Sequence, residues 1–477
     1  MSMEYESVIG LEIHVQLNST TKMFCDCPNR AGDEPNRYAC PTCLWLPGAM
    51  PRFSQEALEK AVLTCLALNC DVQPQSAFDQ KVYYYPDLPK GFQLSQAHKP
   101  LAKQGWLDIV DGDGQPKRLR IRKIHMEEDV ARLVHEIEGR TPISLVDFNR
   151  AGVPLVEIVT EPDLRSPNDA MEFIRTLRTQ IRYVGSSECS MEQGSMRVDA
   201  NVSIRPSGSE QLNTKVEIKN MNSVRNLGDA VDYEINRQVG SLGAGEPIVI
   251  HTRLWDPEKR VTSPMRGKFE GPCVPDPSVP LIEISEQWLA SMRSRLPEMP
   301  NHKLQRFVNN YGLHHEEAFL MSSERDLSEY FEAVVSRNVQ PRVTAHWIST
   351  QLIPALKERG QSFSDTPVTP ERIAGLLALL EQDKVNANSA REVLVRLFET
   401  DQPPHAIVEQ YGFGQISDDS ELEGLVDRVL SANTAAISDF RSGQGKALGF
   451  LIGQAMQASG GKANPKRIRE ILMRKLR

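Results

Sequence analysis

Four of the eight cysteines crowd together as Cys25-x-Cys27, a gap of twelve residues, and Cys40-x-x-Cys43. Two short knuckles of this kind can close a tetrahedral thiolate shell around zinc, with Pro28 and Pro41 helping each to turn. A complete shell leaves no open position, so such an ion is structural. The first knuckle is one residue tighter than the usual spacing, and four reduced, buried cysteines are the competing arrangement. Cys65, Cys70, Cys189 and Cys273 lie apart.

A second constellation is acidic. Glu12 and His14 share a face in the first apolar-alternating stretch, and His125-Met126-Glu127-Glu128-Asp129 follows later. Glu192 leads into Asp199-Ala200-Asn201, and Glu217 sits in Lys215-Val216-Glu217-Ile218-Lys219-Asn220. Carboxylates entering one sheet face repel one another unless cations hold them. Oxygen ligands with one or two imidazoles suit Mg²⁺, which typically arrives with nucleotide phosphates. Alternation alone equally permits each charge to face solvent separately. A third stretch, Tyr83 to Gln96, combines aromatics, a proline-set turn, Lys90 and Gly91; it fits a loop against a nucleotide or a tRNA end, and equally a surface turn with packed rings. No GxxxxGK[ST], kinase glycine loop or GxSxG elbow occurs, which sets the common nucleotide and hydrolase templates aside.

The elements that must position these groups are legible in outline. Val8 to Leu17 alternates, and so do Arg118 to His125, Ser144 to Phe148, Leu155 to Val159, Ser195 to Ile204 and Thr214 to Lys219. Two helices interrupt them, Ser54 to Leu68 and Pro167 to Val184, the second announced by Ser166 as N-cap and a proline behind it. Strands outnumber crossovers, so the expectation is an α+β domain with a largely antiparallel sheet over 1–293. Proline-punctuated helices then predict an all-α domain over 294–402. Asp401-Gln402-Pro403-Pro404 reads as a hinge before a small helical module over 403–477.

At 477 residues the chain exceeds what one hydrophobic core supports. Apolar and charged shares of 40% and 25% are those of a soluble protein. No run approaches a bilayer span and the acidic N-terminus has no signal-peptide pattern, so no membrane association and a cytoplasmic location are expected. A net charge of −8 argues against binding nucleic acid over the whole surface. One basic block stands out: Lys462, Lys466, Arg467, Arg469, Arg474, Lys475 and Arg477, opposed within the block by Glu470 alone. It is either a solvated helix face or a phosphate-contacting one.

Together the words VIGLEIHVQ (Val8 to Gln16), CPTCL (Cys40 to Leu44), YPDLPKGFQLSQ (Tyr85 to Gln96), HMEEDVA (His125 to Ala131), DFNRAGVPLVEIVTEPDLRSP (Asp147 to Pro167), MEQGSMRVDANVS (Met191 to Ser203), KVEIKNMNS (Lys215 to Ser223), KALGFLIGQAMQAS and GKANP resemble the GatB/GatE family. These are the B subunits of the bacterial Asp/Glu-tRNA(Asn/Gln) amidotransferases (GatCAB), and the likeness runs nearly end to end. The resemblance implies a cradle domain, a helical domain and a YqeY-like tail. It further implies an ATP- and Mg²⁺-dependent carbon–nitrogen ligase with glutamine as amido donor. Such a ligase activates the side-chain carboxylate of Glu-tRNA(Gln) or Asp-tRNA(Asn) as an acyl phosphate. The implied partners are an amidase, the A subunit, which supplies ammonia, a small C subunit, and misacylated tRNA. By that mapping Glu12, His14, Glu127, Glu128, Glu192 and Glu217 are catalytic. Among them His14, Glu128, Glu192 and Glu217 ligate magnesium, while Lys90, Lys219 and Asn220 bind the nucleotide. Cys25, Cys27, Cys40 and Cys43 would hold structural zinc, and Lys462, Lys466, Arg467 and Arg469 would face tRNA phosphates. A non-catalytic tRNA-binding module, or a paralogue acting on another carboxylate, would carry the same words. One departure is evident: where the family has MRSKE…DYRYFPEPDLPP, this chain has Met265 to Pro277, shorter and without Tyr-Arg-Tyr.

Overall fold

Leu11, Ile13 and Val15 of the first strand point into the core while Glu12, His14 and Gln16 keep to the opposite face. That division governs the whole N-terminal half. A computed structural model of the chain describes residues 4–30, 34–112, 114–138, 141–265, 271–416, 419–441 and 445–476. It forms two compact units, Met1–Met299 and Pro300–Arg477.

The first unit runs β1 (Tyr5–Gln16), α1 (Gln55–Ala67), β2 (Asp71–Val72), β3 (Gln75–Val82), β4 (Phe92–Lys99), β5 (Ala102–Val110), β6 (Pro116–Glu128), β7 (Arg132–Glu138), β8 (Thr141–Asp147) and β9 (Pro154–Thr160). It continues with α2 (Pro167–Tyr183), β10 (Met196–Pro206), β11 (Val216–Met221), α3 (Val224–Gly243), β12 (Thr252–Asp256), β13 (Val261–Pro264), β14 (Cys273–Pro275), β15 (Ile282–Glu283) and α4 (Glu286–Ser294). The main sheet has the order β13-β12-β11-β10-β1-β9-β6-β5-β2. Its pairs are antiparallel except β11 with β12, whose parallel partnership is bridged by α3. The expected α+β class with a largely antiparallel sheet is what forms. β14 and β15 pair with β3, which also pairs with β4, beside the main sheet. In the divergent 265–277 stretch, residues 266–270 lie outside the described residues.

Among the described residues the helices of this unit pack into one core on one face of the sheet. Phe173, Ile174, Leu177 and Ile181 of α2 and Leu227, Ala230 and Val231 of α3 share a core with Ile9, Leu11, Ile13 and Val15 of β1. The expected pair of helices is joined by α3 and α4. α3 gives little sequence signal because its periodic apolar residues are few and Gly228 interrupts them. That glycine has a packing reason: a Cβ there would lie 2.6 Å from Met171 Sδ of α2.

The second unit is helical: α5 (Pro300–Tyr311), α6 (His315–Ser322), α7 (Arg325–Val335), α8 (Pro341–Trp347), α9 (Ile353–Arg359), α10 (Pro370–Glu381), α11 (Ala387–Glu399), α12 (Pro404–Tyr411), α13 (Asp419–Ala432), α14 (Thr434–Arg441), α15 (Lys446–Ala458) and α16 (Pro465–Leu476). The helix expected over Val343 to Lys357 contains a π turn at 348–352, just before Pro354, which has no N–H to donate to the preceding turn. Two cores form here, one from Phe307 to Ile407 and one from Leu422 to Leu476. The Pro403-Pro404 hinge therefore does not separate these cores: α12 beyond it buries Ile407 in the earlier one.

Ile13 sits at the centre of the sheet with no exposure. Ile13→Ala is expected to destabilise the first unit by about 2–5 kcal/mol, seen as an earlier urea transition. A loss under about 1 kcal/mol would locate the core elsewhere.

Candidate metal centre and acid cluster

Three neighbouring strands put their chemistry in direct register. His14 of β1 lies opposite Glu157 of β9, and Glu157 lies opposite His125 of β6. Glu127, two residues along β6, completes the group. His14 Nε2 stands 3.5 Å from Glu157 Oε2 and 3.7 Å from Glu127 Oε2. His125 Nε2 stands 3.0 Å from Glu157 and 3.1 Å from Glu127. Ligand atoms of His14, Glu127 and Glu157 all lie within 4.8 Å of one another, close enough to share one ion. Burial opposes protonation of both imidazoles, but the Glu157 and Glu127 carboxylates outweigh it. His14 is held above the ordinary histidine value and His125 is raised to about 9. Burial likewise works against ionising Glu157, and the two imidazoles overcome it to hold its pKa well below the carboxylate range.

The surroundings fix these carboxylates in place. Ser95 Oγ donates to Glu127 Oε1 at 2.6 Å and Gln93 Nε2 to Glu127 Oε2 at 3.2 Å. Asp129, fully buried, accepts from Gln16 Nε2 at 2.7 Å and from Arg197 at 2.9 Å. Burial raises its pKa, and Arg197, Arg150 and Gln16 more than reverse that. Along the same face runs a second charged row. Asn201 donates to Glu12 at 3.0 Å, and Lys219 Nζ bridges Asp199 at 2.6 Å and Glu217 at 2.8 Å. Glu12 also lines a cavity of about 280 Å³ with Gly10, Arg122, Val159, Asn201, Leu212 and Lys215.

The cysteine knuckles converge. All four sulfurs lie within 4.8 Å of one another. Cys43 Sγ is 3.6 Å from Cys40 and 3.9 Å from Cys27. A tetrahedron with zinc–sulfur bonds of about 2.3 Å has edges of about 3.8 Å, so the donor set fits that ion. Cys25, foremost, and the Cys40 backbone N–H hydrogen-bond to Cys43 and pull its thiol down to about 4 against the effect of burial, while Cys25 is pushed up.

Residues 7–290 match the family model described as the GatB/GatE catalytic domain, and 329–476 match the model described as the GatB domain. The chain belongs to the GatB/GatE family. It is 65% identical to a B subunit of aspartyl/glutamyl-tRNA(Asn/Gln) amidotransferase from Syntrophus aciditrophicus, over 99% of both chains. It is 44% identical to the B subunit from Carboxydothermus hydrogenoformans over 99% of each, and 41% identical to that from Thermodesulfovibrio yellowstonii over 100% of each.

Within the GatB/GatE catalytic region the sequence-derived residues separate into groups. His14 and Glu127 meet at the centre. Glu12, Glu217 and Lys219 stand in the neighbouring row. Glu128 turns away from His14: it pairs with buried Lys90 and accepts from Leu94 N at 2.8 Å, with Lys90 Nζ 4.7 Å above the Trp45 ring. Glu192 lies exposed on a turn, accepting from Ser190 Oγ at 3.2 Å, and Asn220 donates to Trp255 O at 3.1 Å. Neither joins the imidazole–carboxylate group. Sequence reasoning misses Glu157, although a lone carboxylate in the apolar run Pro154 to Thr160 is the available signal. In the GatB domain Lys462, Lys466, Arg467 and Arg469 are exposed. Arg474 and Lys475 further along α16 are paired with Glu423 and Asp427 of α13.

A metal held at His14, Glu127 and Glu157 would compete with the proton on His14. That proton is held above the ordinary pKa of 6.5, so divalent-ion affinity rises with pH through and beyond this value and falls on acidification. Mn²⁺ titration followed by electron paramagnetic resonance checks this. His14→Gln is expected to weaken binding and flatten the pH profile; a profile unchanged by the substitution excludes His14 as a ligand.

Proposed function

We propose that the chain is the carboxylate-activating subunit of a glutamine-dependent tRNA amidotransferase, acting on Glu-tRNA(Gln), Asp-tRNA(Asn) or both. The observation that carries this is the His14–Glu157–His125 register with Glu127, where ligand atoms of His14, Glu127 and Glu157 converge closely enough to share one ion, near a cavity of about 280 Å³ lined by Glu12 and Arg122. The relatives' names, which describe aspartyl/glutamyl-tRNA(Asn/Gln) amidotransferase subunits, supply the substrate. They also disfavour a non-catalytic reading.

The chemistry follows from a leaving-group problem. Hydroxide leaves a carboxylate poorly, whereas phosphate leaves an acyl phosphate well. A side-chain carboxylate oxygen of the aminoacyl-tRNA attacks the γ-phosphorus of ATP, the bond to ADP breaks, and an acyl phosphate forms. Ammonia then attacks the acyl carbon, the carbon–oxygen bond to phosphate breaks, and the amide loses a proton to solvent. Mg²⁺ held by His14, Glu127 and Glu157 would supply charge neutralisation on the transferring phosphoryl group. Lys219, anchored by Asp199 and Glu217, and Arg122 at the cavity wall offer further positive charge to phosphates. His125 and Ser95 orient the carboxylates. Zinc in the Cys25, Cys27, Cys40 and Cys43 shell serves structure.

The 1–293 segment is the cradle for this reaction, 294–402 a helical spacer, and 403–477 a tail whose exposed Lys462, Lys466, Arg467 and Arg469 meet the tRNA backbone. Ammonia comes from an amidase A subunit, with a small C subunit completing a heterotrimer. Aminoacyl-tRNA is consumed in the cytoplasm, and the reaction belongs there. Among the described residues no helix is long and apolar enough to cross a membrane.

Assembled with the A and C subunits, the chain is expected to convert Glu-tRNA(Gln) or Asp-tRNA(Asn) to the amide with ATP, Mg²⁺ and glutamine, releasing one ADP per amide. Glu157→Gln is expected to lower turnover by about 10²-fold or more while tRNA binding persists. No amide from either tRNA in a properly assembled complex would overturn the proposal.

A further inference from the structure

Beside the knuckles sits a charge that the reaction does not use. Lys22 is wholly buried, at 0% exposure. Its ammonium donates to Tyr38 O at 2.7 Å and Phe148 O at 3.2 Å, and lies 3.8 Å from Cys43 Sγ. Carbonyls replace part of a lysine's hydration but carry no net charge, and a buried ammonium is strongly unfavoured without an anion. Among the described residues no carboxylate forms an ion pair with Lys22; the anion within reach is sulfur.

The same lysine stitches three pieces of chain together. Tyr38 leads into the second knuckle, and its N–H donates to Asn149 Oδ1 at 2.7 Å. Phe148 opens the turn that contains Gly152, where φ is +83° and a Cβ would rest 3.7 Å from both Cys43 Cβ and Lys22 Cδ. Met23 N donates to Gly152 O at 2.8 Å, and Gly152 N to Asp129 O at 2.9 Å. Asp129 belongs to the charged network behind the acid cluster.

We propose that Lys22 and the metal-loaded knuckle are counter-ions. A divalent ion in four thiolates leaves excess negative charge, which the ammonium meets at Cys43. The loaded knuckle in turn keeps the ammonium buried and the 148–153 turn packed against Asp129. Lys22 is then a positioning residue acting through Cys43. This rests on the zinc reading above.

The test uses the full chain and its Lys22→Met variant. Zinc per chain in the unaltered protein reads the knuckle assignment; the difference between the two proteins reads this inference. Lys22→Met is expected to bind zinc about tenfold or more weakly in chelator competition. With Co²⁺ in the knuckle, the thiolate-to-cobalt charge-transfer band is expected at lower energy in the variant, because a sulfur that loses its donor gives up electrons more readily. A change in packing alone would not move it in that direction. If the variant does not fold, stripping zinc from the unaltered chain is expected to accelerate amide exchange at Met23 and Gly152 and not in β10. Equal zinc affinity with an unmoved cobalt band overturns the proposal, as does unchanged exchange at those two amides after stripping.

Discussion

Like charges do not gather on a sheet face unless cations hold them there, and the N-terminal unit is organised around meeting that condition. Glu157 and Glu127 are held by two imidazoles, Asp129 by Arg197 and Arg150, and Asp199 and Glu217 by Lys219, while Glu128 on the other side of β6 is held by Lys90. α2 and α3 bury the apolar residues of the other face, so this one can take polar partners such as Gln93 and Ser95 of β4 against Glu127. His14, Glu127 and Glu157 are thus already fixed in place, and an ion bound between them would leave little to reorganise.

How much of this is legible beforehand depends on what each signal encodes. Thiolate ligation demands sulfurs a fixed distance apart, and short knuckles write that demand into spacing, so Cys25, Cys27, Cys40 and Cys43 are plain in the sequence. Strand alternation puts Glu12 and His14 on one face correctly. It does not tell which distant strands become neighbours. Glu157 stands between His14 and His125 solely because β9 inserts between β1 and β6, an arrangement no local pattern states.

β6 shows a sharper limit. Leu119 and Ile121 face the core, yet further along it is Ile124 and Met126 that do. The register with β9 shifts between Ile121 and Lys123. This bulge exchanges the two faces within one strand, and through it Arg122 shares a face with His125 and Glu127. Glu127 and Glu128, adjacent in sequence, look like a catalytic pair. Neighbours on a strand point to opposite sides, and Glu128 accordingly meets Lys90 and the Leu94 N–H of β4. Likewise Glu192 belongs to a turn rather than a strand, so nothing aims it at the site.

β1 is made before both of the strands that flank it, β9 and β10, with Glu12 opposite Val159 on one side and Asp199 on the other. At about 5–20 residues per second, a ribosome needs on the order of ten to forty seconds to deliver both edges of that slot. For most of that interval, until β9 is complete, β1 has neither of the strands that flank it in the finished sheet. Biogenesis of this chain therefore contains an obligatory waiting period, during which an extended, sticky segment must be kept from pairing with the wrong strand.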